Sequence, residues 1–85
     1  MSQRILVVED EPAIAESVSY ALGRDGFDVD IAGTHAEAQA RSSACDLIVL
    51  DLMLPDGSGF DLIGQLRRDS VPIPIIVLSS RDSEA

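Results

Sequence analysis

Four acids and one hydroxyl are spaced so that they could do chemistry together. Glu9, Asp10 and Glu11 follow one short apolar run, Asp51 follows another, and Ser79 follows the last. A lone carboxylate at the carboxyl end of a buried strand lies where open α/β sheets place their ligands. If the two acid-bearing runs are neighbours, Glu9, Asp10 and Asp51 come within reach of one metal ion. Like charges that close are unfavourable unless a cation neutralises them. Hard oxygen donors without a nearby histidine or thiolate favour Mg2+, which takes few carboxylates and keeps waters for a substrate phosphate. Asp51 is then the candidate nucleophile, a carboxylate oxygen attacking phosphorus, while the metal offsets charge on the phosphoryl oxygens.

The elements that must position these groups are legible in order. Arg4 to Val8 and Leu47 to Leu50 are apolar runs rich in β-branched residues, suited to strands buried on both faces. Phe27 to Ala32 alternates apolar and acidic residues, which predicts a peripheral strand. Ile75 to Leu78 is a fourth strand, approached through Pro72 and Pro74. Between them lie three helices. Pro12 suits the first turn of one, whose face is Ile14, Val18, Ala21 and Leu22 and which Gly26 stops. Thr34 and Glu37 form a capping box for a second, running to about Ser43 and offering Ala36, Ala38 and Ala40 to its neighbours. Ser58 and Asp61 cap a third, with Phe60, Leu62, Ile63 and Leu66 as its buried face and Arg67 and Arg68 at its carboxyl end. Pro55 to Gly59 is a breaker cluster that carries the chain off the central strand. Alternation of this kind, β-α-β-α-β-α-β, makes a doubly wound parallel sheet with right-handed crossovers.

Composition narrows the function classes. Eighty-five residues at 46% hydrophobic content make one small packed domain. Fifteen acids face six arginines and no lysine, for a net charge of −9, so a basic nucleic-acid face is excluded. The sequence has no long apolar run and no charged-then-apolar leader, which reads as cytoplasmic, with no membrane contact. The one cysteine, Cys45, reads as a buried free thiol. Glu11 reads as a solvated charge at a helix start, His35 as an exposed polar residue beside a cap, and Asp56 as a turn former.

Three segments carry a family resemblance: VVEDE after the first strand, VLDLMLPDGSG around the third, and IVLSSR at the fourth. Together they resemble the receiver domain of bacterial two-component response regulators, the CheY-like domain. The wording is closest to the OmpR/PhoB subgroup, whose receivers carry a winged-helix DNA-binding domain. The resemblance implies the flavodoxin-like fold, here with four strands in the order 2-1-3-4. It implies that Asp51 accepts a phosphoryl group from the phosphohistidine of a sensor histidine kinase. Asp10, Asp51 and the backbone carbonyl of Met53 would bind Mg2+, and Glu9 would hold a metal-bound water. The Ser79 hydroxyl would contact the phosphoryl group and move on activation, and Pro55 and Gly59 would shape the loop beside the acceptor. Such a domain is a phosphorylation-driven switch controlling an output domain, not a turnover enzyme.

Residues 1–85 match the family pattern as far as its fourth strand. The family's fourth helix, fifth strand and fifth helix have no counterpart, nor has the lysine that ends the fifth strand. Two other readings stand beside the receiver: an interaction module that keeps the fold without phosphorylation, and a phosphohydrolase of the haloacid dehalogenase type. The hydrolase needs a second acid two residues after its nucleophile, where this chain has Met53, which cannot move a proton. With the fourth strand left as an apolar edge, the 85-residue chain is expected to melt with marginal stability, to self-associate, or to be completed by other chain material. A monomeric, cooperative melt of ordinary stability, followed by calorimetry and sedimentation velocity, would overturn that expectation.

Overall fold

The structure, a computed structural model, describes residues 3–51, 53–54, 57–69 and 72–78, with side chains for 3–51, 60–69 and 72–78. In chain order it contains β1 (Arg4–Val8), α1 (Pro12–Arg24), β2 (Asp28–Ala32), α2 (His35–Arg41), β3 (Leu47–Asp51), α3 (Gly59–Arg68) and β4 (Ile75–Leu78). The four strands form one parallel sheet in the order β2-β1-β3-β4. The doubly wound sheet and its 2-1-3-4 order are those the sequence predicts. A single turn of 3₁₀ helix, Ser42–Ala44, leads into β3. The breaker cluster adds a feature the sequence did not suggest, a short antiparallel ladder that pairs Met53–Leu54 with Gly57–Ser58.

Strand parity divides the core into two layers, because successive side chains alternate between faces. Leu6, Val8, Ile48 and Leu50 meet Ala38 of α2 and Leu62 and Leu66 of α3 on one face. Ile5, Val7 and Val49 meet Val18 and Leu22 of α1 on the other, with Phe27 and Val29 alongside. Both faces of β1 and β3 are therefore covered, which is why their sequences do not alternate. β2 is an edge strand, as its alternation predicts, and the Arg4–Asp30 ion pair at 3.0 Å lies across it.

Local signals set the helix ends. α1 begins with Pro12 at its first position and stops at Gly26, which takes φ +94°, the left-handed conformation that glycine adopts without a steric penalty. The Thr34 hydroxyl accepts from the Glu37 amide at 3.1 Å. The Glu37 carboxylate returns to the Gly33 amide at 2.8 Å, one residue before the usual capping-box partner.

Three helical faces differ from expectation, each for a geometric reason. Leu62 and Leu66, one turn apart, point into the core with Ile63 at their flank, whereas Phe60 is 66% exposed. At 100° per residue Phe60 lies about 200° from Leu62, so one face does not hold both. Ala38 is buried, but Ala36 and Ala40 are exposed, since residues two apart sit on opposite sides of α2. In α1 the buried residue is Ala15, and Ile14 and Ala21 lie at the margin of the stripe. Cys45 is half-buried, its thiol donating to the Ser42 carbonyl at 3.1 Å. Burial, the main cause, raises the pKa of that thiol.

Among the described residues β4 has one neighbour, β3, and Ile76, Val77 and Leu78 are 49%, 43% and 40% exposed. No described helix is long and apolar enough to cross a membrane. The placement of α3 is directly testable. Leu66→Ala should lower unfolding stability by about 2–5 kcal/mol in urea titrations, the usual cost of truncating a buried leucine. Phe60→Ala should change it by no more than about 0.5 kcal/mol, as for other exposed positions.

Candidate metal and phosphoacceptor site

The register of the parallel sheet brings the acids together. β1 pairs with β3 through Val7↔Val49 and Val8↔Leu50, so the residues that follow, Glu9 and Asp51, leave neighbouring strands at the same rim. Asp51 shares the sheet face of Val49, and Glu9 that of Val7, by the two-residue repeat. Asp10 then opens the turn into α1. One carboxylate oxygen from each of Glu9, Asp10 and Asp51 lies within 4.8 Å of the others. Glu9 and Asp51 are 5% and 3% exposed, while Asp10 faces solvent. The site is a pair of buried acids with a third at its mouth.

Burial is the largest influence on Glu9. It raises the carboxyl from 4.5 to about 7, assisted by a hydrogen bond shared with Asp51 and by the negative charges of Asp51 and Asp10. Opposing this, the Glu11 amide at the start of α1 donates to Glu9 Oε2 at 3.1 Å. A helix N-terminus favours negative charge, but here it only partly offsets the desolvation. Glu9 is therefore only partly ionised near neutral pH, and a cation binding at the cluster would compete with a proton.

The donor set fits Mg2+. All three side chains offer hard oxygens, and no histidine or thiolate joins them among the described residues. Opposed oxygens at about 2.1 Å from a Mg2+ ion lie about 4.2 Å apart, so a small contraction of the 4.8 Å spread, or one bridging water, suffices. Of the remaining candidates, Met53 lies at the start of the short ladder after β3, two residues beyond Asp51. Ser79, Pro55, Asp56, Ser80 and Arg81 lie outside the described residues. Glu11 is exposed, and the part it plays comes from its backbone N–H, which a reading of side-chain types overlooks.

Comparison with known proteins settles the family. Residues 5–85 match the model of the response regulator receiver domain. The chain belongs to that family. Among curated relatives it is 43% identical over 81 residues to the probable transcriptional regulatory protein TcrX of Mycobacterium tuberculosis, covering 93% of this chain and 35% of TcrX. It is 42% identical over 86 residues to the alkaline phosphatase synthesis transcriptional regulatory protein PhoP of Bacillus subtilis, covering 99% of this chain and 36% of PhoP. These relatives are regulators of the OmpR/PhoB type, and this receiver spans a little over a third of their length. Among solved structures, the response regulator TrrA of Thermotoga maritima in complex with Mg2+ and beryllium fluoride superimposes with a TM-score of 0.86 at 34% identity, covering 94% of this chain and 71% of TrrA.

Competition between proton and metal gives a signed prediction. The protonated Glu9 of the metal-free receiver favours folding below the ordinary carboxyl range, and that contribution is lost as pH rises through about 7. Mg2+ affinity should move the opposite way, rising about tenfold between pH 6 and 8 for a single displaced proton with a pKa of about 7. Isothermal titration calorimetry in two buffers of different ionisation enthalpy reads both the affinity and the proton released. In Glu9→Gln the pH dependence should flatten.

Proposed function

We propose that this receiver is a phosphorylation switch in which Asp51 accepts a phosphoryl group from a sensor histidine kinase. The observation that carries the reading is the convergence of Glu9, Asp10 and Asp51 at the carboxyl rim of the sheet, with Asp51 buried at its floor. A carboxylate oxygen of Asp51 attacks phosphorus, the phosphorus–nitrogen bond to the kinase histidine breaks, and an aspartyl phosphate forms. Asp10, Asp51 and the backbone carbonyl of Met53 would hold Mg2+, with Glu9 acting through a metal-bound water. When bound, the metal offsets charge on the phosphoryl oxygens. Ser79, which follows β4 in the sequence, contacts the phosphoryl group through its hydroxyl and transmits the change.

The crystal form of TrrA with Mg2+ and beryllium fluoride supports this reading, because that fluoride imitates a phosphoryl group in shape and charge. The names of TcrX and PhoP support a transcriptional output. In a parent protein of their kind, residues 1–85 would form the larger part of the receiver. The phosphorylated domain would control a winged-helix output domain in the cytoplasm.

Incubation of the chain with Mg2+ and acetyl phosphate, followed by intact mass measurement, tests the proposal. The expected result is an increment of one phosphoryl group, reduced at least tenfold in Asp51→Asn and by removal of Mg2+ with EDTA. No increment on a folded chain would overturn the assignment and favour an interaction module. Sustained phosphate release over many turnovers would point to a hydrolase.

A further inference from the structure

A groove runs from the acid cluster along the start of α1 to the end of β2. Its volume is about 250 Å³, and it is lined by Glu9, Asp10, Pro12, Ala15, Glu16, Ile31 and Gly33. The size is informative, since small-molecule pockets usually enclose about 300–1,000 Å³, and this space suits a single side chain better. Its wall is apolar along Pro12, Ala15 and Ile31, while Asp10 and Glu16 are exposed acids at its margin. Ile31 is 38% exposed there, more than a residue of an inward-facing strand position needs to be.

Among the described residues no arginine lines this groove. Arg24, Arg41 and Arg67–Arg68 occupy the last turns of α1, α2 and α3, and Arg4 begins β1. In a parallel α/β fold the helix carboxyl ends and strand amino ends share one side, opposite the acid rim. Arg41 reaches back along the edge of β2, where it donates to the Ile31 carbonyl, and the groove is an apolar slot bordered by the acids Asp10 and Glu16.

We infer that this groove receives one arginine side chain from a partner protein, its aliphatic stem lying on Pro12, Ala15 and Ile31 and its guanidinium meeting Glu16 and Asp10. An arginine combines an apolar stem with a charged, weakly hydrated planar head, and carboxylates bind that head with directed hydrogen bonds. The inference does not rest on phosphorylation of Asp51. The complementary surface is a basic protein segment, and a short acidic or neutral one would be refused.

Amide chemical-shift titrations of the full chain in Mg2+-free buffer test it with three probes. These are an N-acetylated, amidated Ala-Arg-Ala tripeptide, its norleucine counterpart, and guanidinium chloride. The arginine tripeptide should give saturable shifts at Ala15, Glu16, Ile31 and Gly33, with affinity at least fivefold above both other probes. Any smaller advantage overturns the inference. Parity with guanidinium would mean a diffuse acidic surface, and parity with norleucine a purely apolar slot. Glu16→Gln and Ile31→Ser change exposed positions and should each weaken the arginine tripeptide at least threefold, with shifts elsewhere in the spectrum unchanged. Unchanged affinity in either variant also overturns it.

Discussion

Three carboxyl groups held within 4.8 Å of one another at the rim of a parallel sheet are the constraint on which the rest depends. Left to themselves they repel, and two of them are buried, so their convergence carries an electrostatic cost. The raised pKa of Glu9, about 7, and the Glu11 amide aimed at its carboxylate both ease that repulsion.

The sheet makes this arrangement hard to avoid. β1 and β3 are central, parallel and in register, and both are apolar on both faces because helices cover both. Such strands are rigid, and their first polar residues emerge together at one end. A slip of one residue would send Asp51 to the face of Leu50 and break both core layers at once. The buried leucines and valines therefore fix the acid geometry more firmly than the acids could themselves.

Much of this was legible in the chain. Apolar runs ending in acids, an alternating edge strand, Pro12, Gly26 and the Thr34–Glu37 pair act locally, and local signals survive into the fold. What sequence could not supply was the phase of each helix. Phe60 is the largest apolar residue of α3 and yet faces solvent, because the i, i+4 pair Leu62 and Leu66 decides which side turns inward. Ala15 is buried in α1 ahead of the larger Ile14 for a related reason, since close approach of helix to sheet near the acids selects a small side chain. The Glu11 amide was invisible to a reading of side chains, as its contribution is backbone.

Charge distribution follows from the same topology. Arginines at helix carboxyl ends answer the negative end of each helix dipole, in the last turns of α1, α2 and α3. The carboxylates gathered at the sheet rim are an attractive place for cations. Mg2+ and a basic protein surface would be drawn to the same end. Asp10 belongs to both the cluster and the groove beside α1, so a ligand at one would act on the other. By thermodynamic reciprocity any such coupling acts equally in both directions, so a cationic partner that weakened metal binding would itself be released as the metal bound.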